Sequence, residues 1–537
     1  MPELREPEDD EIDYDALLDE EEPVEREIAP EARLGAAEDE WQRRDLLWLL
    51  LITCVAGALR LYRIDEWSFW IDEIFTLRDG VLLDMEQFWN SVASERPVQY
   101  LLVRWFQEVL PGSDEGSFRI IFAFFGIASV PLMAVVVRRM FGAGPALLSA
   151  AILTLSPWHV YWSQTVRGYS IVLFLGLASL YFFWLGSERG RGRYLLLSLA
   201  LAALAMLTHP SSVFFVFAFV VYLFALRIGV AAWPKNFGVW ALFCFSLPLV
   251  FGALWNAEGL LSAFDSYLRS KADVVTLPHL ANTTVFFVRV PVIVAAVGGL
   301  IFLWYQRSRT GLLLALYIAV PMLSLSVASF FVRVSAQYAF FTLPAWCILS
   351  GYGGWEIVRR LELKAFGYHF VRLLPIAMIL FELATQLHLY YHYRHGERPR
   401  WREAADYVLA HLGPDDLVAS TNVPCIEWYL NPSDPKVVTG VRQPDGRHVH
   451  GITDWSLERG DLPLWVREAD ASGARVWVVT TQPLFQEMDP QKVWDTWLRA
   501  RFQQVRRLPN WVGPKDMTVF VYRYEGQGQP EQRGEKR

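Results

Sequence analysis

Long apolar runs dominate the chain between residues 45 and 388. Runs of about 17–22 residues, enough for a helix to cross a bilayer, recur eleven times. They lie at roughly 46–62, 118–137, 146–163, 169–186, 194–208, 211–227, 238–255, 283–304, 311–329, 338–355 and 371–388. The pattern predicts a polytopic α-helical membrane protein. Between the first two runs, a loop over about 63–117 holds "GVLLDMEQFWNSV" and "VQYLLVRWFQEVL". Their apolar positions share one helical face, as in helices that lie in the membrane interface.

The rhythm changes after residue 388. "WREAADYVLAHL" and "VWDTWLRARFQQV" read as amphipathic helices, and "DLVAST", "ARVWVVTT" and "MTVFVYRYE" as short strands. Alternating helix and strand predict a small α/β domain over 389–525, followed by a flexible tail at 526–537. Neither a nucleotide-binding fingerprint nor a nucleophile elbow occurs in it.

Composition agrees: 53% of residues are hydrophobic and 15% aromatic, more than an ordinary soluble domain carries. The net charge of −8 conceals an asymmetry, because residues 1–44 hold 18 acidic and 5 basic side chains. That segment is at −13 and the rest of the chain at +5. With no apolar periodicity, it is expected to be a disordered acidic tail and not a signal peptide. Arg43-Arg44, Arg138-Arg139, "ERGRGR", Arg227 with Lys235, "QRSR" and "RRLELK" fall on alternate sides of the spans, which the positive-inside rule makes cytoplasmic. The N-terminus is then cytoplasmic and the C-terminal domain extracytoplasmic. Cys54, Cys244, Cys347 and Cys425 have no spacing that suits a disulfide framework or a zinc knuckle.

On this topology, polar groups gather at the outer ends of the spans. "EWSFWIDEIFTL" places Asp72 beside Glu73 amid four aromatic residues, and "ERPVQY" carries Arg96. "SPWHVYWSQTVRGYS" carries Gln164, Arg167 and Tyr169, "THP" carries His209, and "FFVRVSAQYAFF" carries Arg333. Arg289 falls inside an apolar run, where a charge is costly without a function or a nearby interface. His159 and Trp162 read as packing residues. Carboxylates beside arginines at the outer leaflet suit a substrate with a phosphate head and a lipid tail, since guanidinium binds phosphate in a bidentate fork. A carboxylate can take a proton from an attacking hydroxyl. Outside the cell the donor must arrive already activated, and a lipid-phosphate-linked sugar meets that need.

"LRLYRIDEWSFWIDEIFTL", "RPVQYLLVRWF", "SFRIIFAFFGIASVPLMAVVVRRMFG" and "LSPWHVYWSQTVRGYSIVLFLGLASLY" resemble, in order, the opening segments of glycosyltransferase family 39 and its GT-C relatives. These include the protein O-mannosyltransferases and the lipid A aminoarabinose transferases. The resemblance is strong over about 59–185 and diffuse to about 350. It implies an inverting transferase that takes a sugar from a polyprenyl-phosphate donor. Asp72 aligns with the catalytic aspartate as general base. Glu73 would bind acceptor or a divalent metal, or orient the loop; no ligand spacing demands a metal. Arg96 and Arg167 would hold the donor phosphate, with Gln164, Tyr169, His209 and Arg333 as further substrate contacts. Two departures stand out. Val98 replaces the family's second proline, and Gln337-Tyr338 stands where the family has Arg-Tyr, with Arg333 four residues earlier. The resemblance also implies a glycan, lipid or protein acceptor, membrane-lipid contacts, no nucleic-acid partner and a bacterial inner membrane.

Two other classes remain open at this level. A transporter or flippase of lipid-linked sugars would also need many spans and buried charge, yet here the charges cluster at helix ends instead of at mid-depth. A non-catalytic membrane protein with a partner-binding outer domain would not depend on Asp72.

Overall fold

The computed structural model describes residues 41–109, 114–228, 277–330, 334–360, 373–431, 448–481, 492–512 and 515–526. The predicted acidic tail to residue 40, the run at 238–255, Arg333 and the last eleven residues lie outside them. Four helices among the described residues are long and apolar enough to cross a bilayer, at 115–141, 169–189, 210–227 and 309–328. Flanking them are helices Arg43–Leu61, Gly192–Thr208, Leu343–Arg360 and Leu374–His392. The chain is an integral membrane protein built mainly of helices.

Two predicted spans turn out to be broken. The run at 146–163 ends as a helix at Leu155, because Ser156 caps a new short helix, Pro157–Ser163, through the His159 amide. The run at 283–304 bends by 90° at Arg289. That residue has φ +81°, which ends helix Leu277–Val288 before Val290–Tyr305 begins. An apolar run fixes burial but not straightness, so neither break shows in hydropathy. In the first loop the second amphipathic segment forms helix Pro97–Val109, whereas the first yields only a five-residue helix, Met85–Trp89, after a π-helical turn.

Small residues set the closest helix approaches. A methyl group at Gly299 would stand 2.2 Å from the Leu349 carbonyl, and one at Gly353 would stand 2.2 Å from the Ala295 carbonyl. The helices 290–305 and 343–360 therefore touch backbone to backbone, the packing that drives helix association in lipid. Gly353→Val is expected to cost about 3 kcal/mol or more, read as a lowered unfolding temperature in detergent.

Five of the described C-terminal strands form one sheet, and Trp511–Val512 pairs with Lys515–Asp516 in a separate two-stranded one. We label the five β1 (Leu417–Ser420), β2 (Val449–Gly451), β3 (Arg475–Thr481), β4 (Gln503–Leu508) and β5 (Val519–Glu525). Their spatial order is β2-β1-β3-β5-β4, with β2, β1 and β3 parallel and β5 antiparallel to both β3 and β4. Strand alternation gives the sheet two buried faces. Trp477 and Val479 join the core shared with helices Trp401–His411 and Val423–Leu430 and with the helical bundle, while Val476 and Val478 pack with Trp465, Trp494 and Phe502. The segment read as one helix over 493–505 is helix Val493–Arg501 followed by β4.

Candidate active site

Asp72 and Glu73 lie in the first turn of helix Ile71–Leu77. Adjacent residues on a helix point about 100° apart, so the two carboxylates face different surroundings. Glu73 is fully buried. Its Oε1 accepts from Arg119 Nε at 2.9 Å and from the Val166 amide at 2.9 Å. Its Oε2 accepts from the Trp70 amide at 3.0 Å, Arg119 Nη2 at 3.1 Å and Arg398 Nε at 3.4 Å. Burial pushes this carboxyl up, but Arg119 and Arg398 outweigh it and hold its pKa below the ordinary value. Arg119, itself buried, also donates to the carbonyls of Ile64 and Trp67, each at 2.9 Å. The loop that delivers Asp72 is thereby tied to the start of helix Glu115–Phe141.

Asp72 remains 44% exposed and lies 3.9 Å from Arg167 Nη2. Arg167 Nη1 donates to Thr76 Oγ1 at 3.3 Å, and Thr76 donates in turn to the Asp72 carbonyl at 2.9 Å. Glu73 bonds the Val166 amide while Asp72 faces Arg167, so two consecutive residues of one segment meet two consecutive residues of the other. Arg96 and Arg167 each have a buried Nε without a hydrogen-bond partner. Both act electrostatically on His209 and on Tyr169. The Tyr169 ring packs between Trp162, at 4.0 Å between centroids, and His209, at 4.6 Å. His209 Nδ1 engages the Ser211 amide and hydroxyl at 3.2 and 2.9 Å. Burial first, then Arg167 and Arg96, drive its pKa well below the usual histidine value, so it is neutral at physiological pH. Activity is therefore expected to show no histidine-like transition from His209 between about pH 5 and 8, and a pH–rate comparison of wild type with His209→Gln would check it.

The structure thus brings together Asp72, Arg96, Arg167, Tyr169 and His209. Tyr338, from the Gln337-Tyr338 pair, joins them within electrostatic reach of Arg167 and Tyr169. Gln164 faces elsewhere. Its buried Oε1 accepts from Trp67 Nε1 at 3.2 Å and Tyr390 at 2.8 Å, and its Nε2 donates to the carbonyls of Arg60 and Tyr62 at 3.1 and 2.9 Å. Those bonds occupy the whole amide in closing the end of the first helix. Arg289 stands outside the cluster, at the 90° helix break, with Phe286 under its guanidinium at 4.4 Å. The Asp72–Glu73 pair does not suit a divalent metal. Glu73 is saturated by arginine and amide donors, and the one available carboxylate faces Arg167.

Sequence reading missed Arg119, Arg398 and Gln99. Arg119 had a signal, a charge at the start of an apolar run, whereas Arg398 had none. Gln99 Oε1 accepts from the Gly168 amide at 2.8 Å, fixing the turn that carries Arg167. A methyl group at Gly168 would fall 2.7 Å from that oxygen and 2.7 Å from Thr208 Cγ2. Gly168→Ala should move Arg167 and lower turnover about tenfold while costing about 1–3 kcal/mol of stability, readable by kinetics and thermal unfolding on one preparation.

Residues 94–255 match the family model described as dolichyl-phosphate-mannose-protein mannosyltransferase. The match begins after Asp72 and Glu73, so their placement rests on geometry. No curated protein sequence matches the chain. Among solved structures, ArnT from Cupriavidus metallidurans bound to undecaprenyl phosphate is similar, with 13% identity, a TM-score of 0.51 and coverage of 89% of this chain and 98% of that one. Its apo form gives a TM-score of 0.53 at the same identity and coverage. AglB from Archaeoglobus fulgidus, in complex with an inhibitory peptide and a dolichol-phosphate, gives 12% identity, a TM-score of 0.52 and coverage of 83% and 70%. The chain has the fold of the GT-C glycosyltransferases and carries, over residues 94–255, a segment similar in sequence to the dolichyl-phosphate-mannose-protein mannosyltransferases.

Proposed function

We propose that this protein is an inverting glycosyltransferase that moves a sugar from a polyprenyl-phosphate donor to an acceptor hydroxyl on the outer face of a bacterial inner membrane. The observation that carries this reading is the half-exposed carboxylate of Asp72 at 3.9 Å from Arg167, with Arg96 acting on the same Tyr169 and His209, and with both arginines keeping a buried Nε donor that has no protein partner. Such donors suit an incoming phosphate. The relatives' lipid phosphates, undecaprenyl phosphate in ArnT and dolichol-phosphate in AglB, are the chemistry such arginines would bind.

The acceptor oxygen attacks the anomeric carbon, and the bond from that carbon to the phosphate oxygen breaks with its electron pair going to polyprenyl phosphate. Asp72 takes the acceptor proton, and Arg96 and Arg167 stabilise the charge growing on the leaving phosphate. Each well-placed donor of that kind contributes about 3–4 kcal/mol to the barrier reduction. No general acid is needed, because the phosphate leaves as an anion. Tyr169 and His209 form the wall beside the arginines. Glu73 and Gln164 hold the loop, and the sheet region from residue 389 is an extracytoplasmic α/β domain that contacts the acceptor. Eleven spans, with the N-terminus cytoplasmic, complete the arrangement.

The test is release of undecaprenyl phosphate from undecaprenyl-phosphate mannose and undecaprenyl-phosphate arabinose by the full chain reconstituted in lipid, with nucleotide sugars as control. Release from a lipid-linked sugar alone supports the reading. Binding of both donors without turnover, together with their transfer across the bilayer, would instead establish a flippase.

A further inference from the structure

Arg398 lies 325 residues from Glu73 in sequence, in the linker between helices 374–392 and 401–411, yet it is fully buried against that carboxylate. We propose that Arg398 is a positioning residue that clamps the Asp72 helix to the Arg167 turn, so that the C-terminal region completes the candidate site instead of hanging beside it as a tethered module. This rests on the transferase reading above.

Neutrality does not require Arg398. Arg119 already gives Glu73 a buried counter-ion at 2.9 Å, and a second guanidinium leaves the trio with an excess positive charge. A buried cation is tolerated only where its donors are satisfied, and the partners of Arg398 show what it joins. Nε meets Glu73 on the Asp72 helix. Nη2 donates to the Gln164 carbonyl at 2.7 Å and to the Thr165 hydroxyl, at the start of the turn that leads to Arg167. Nη1 donates to the Gly396 carbonyl at 2.8 Å, and the Tyr161 ring lies 4.7 Å from the guanidinium carbon.

Arg398 is itself anchored from the C-terminal side, where Asn510 Nδ2 donates to its carbonyl at 2.6 Å. Gly396, two residues earlier, has φ +58°, and a Cβ there would press into the Trp67 ring at 2.6 Å. Docking of this region at the rim has separate contacts. The Arg402 side chain pairs with Glu115, its amide donates to Ser68 Oγ at 3.1 Å, and Tyr429 donates to Glu115 at 2.8 Å. Among the described residues, Arg398 is the C-terminal side chain that hydrogen-bonds to both segments that carry the reacting groups. A guanidinium can do this because its fork serves several acceptors in one plane; an ammonium cannot span them.

The test compares Arg398→Met and Arg398→Lys in the full chain in lipid, by amide hydrogen exchange and by kinetics with undecaprenyl-phosphate mannose and undecaprenyl-phosphate arabinose. Exchange in 70–77 and 165–168 should rise at least tenfold in Arg398→Met, with protection of 475–481 and 519–525 unchanged. The kcat should fall about a hundredfold while the donor KM changes less than threefold, and Arg398→Lys should recover only part of either loss. In the double variant with Glu73→Gln, the loss of kcat should not exceed that of the larger single variant. Uniform loosening of the sheet strands, or multiplying losses in the double variant, would overturn the proposal in favour of a purely structural anchor. If wild type turns over neither donor, the transferase reading fails, and the exchange pattern alone still decides whether Arg398 holds the two segments. Should Arg398→Met fail to fold, Arg398→Lys carries the same comparison, and wild-type exchange in both segments would count against the clamp.

Discussion

Asp72→Asn is expected to abolish turnover, lowering kcat by about 10³-fold, while leaving binding of the lipid donor within a few-fold of wild type. The carboxamide keeps the shape but cannot take the acceptor proton, and a positioned base contributes typically 10²–10⁴-fold. Asp72 has room for this exchange, being 44% exposed and contacting Arg167 at a loose 3.9 Å, so the substitution should not unfold the protein. Undecaprenyl phosphate release from the two lipid-linked sugars, run beside a binding measurement, reads both quantities. Equal turnover by the variant would remove Asp72 from the chemistry.

The neighbouring carboxylate should behave in the opposite way. Removing Glu73 as Glu73→Ala leaves Arg119 and Arg398 buried without their counter-ion, and breaking a buried pair in this way costs about 3–5 kcal/mol. The expected result is a protein that unfolds many degrees lower or fails to accumulate, measured by thermal unfolding in detergent. The sign of the pH effect follows from the lowered folded pKa. The native state binds the Glu73 proton more weakly than the unfolded chain, so its stabilisation is fully present above the unfolded value of about 4.3 and is lost as pH falls through the lower folded value. Wild type should therefore lose stability on acidification below about pH 4 through this group, and Glu73→Gln should lack that component.

Adjacent in sequence and alike in chemistry, Asp72 and Glu73 thus receive unlike roles from their environment. The helix turn between them sends one to the Arg119–Arg398 pair at the core and the other to the open side, which is why "DE" reads as one motif but acts as two groups.

Hydrophobic periodicity by itself determined that this is a membrane protein, where most helices run, and that helices and strands alternate after residue 388. Burial from water is a property of each segment's own side chains, so the segment states it. Sequence also placed Asp72, Arg96, Arg167, Tyr169 and His209 in separate polar patches at helix ends, and tertiary structure decided that they come together. The break at Arg289, the new helix start at Ser156, the inward turn of Glu73 and the use of Gln164 as a helix-end clasp belong to the fold alone. So does the reach of Arg398 across 325 residues. The physical reason is that direction and partnership depend on backbone geometry and on which surfaces the packed helices bring within about 3 Å, and an arginine near the C-terminus carries no local mark of the carboxylate it will meet.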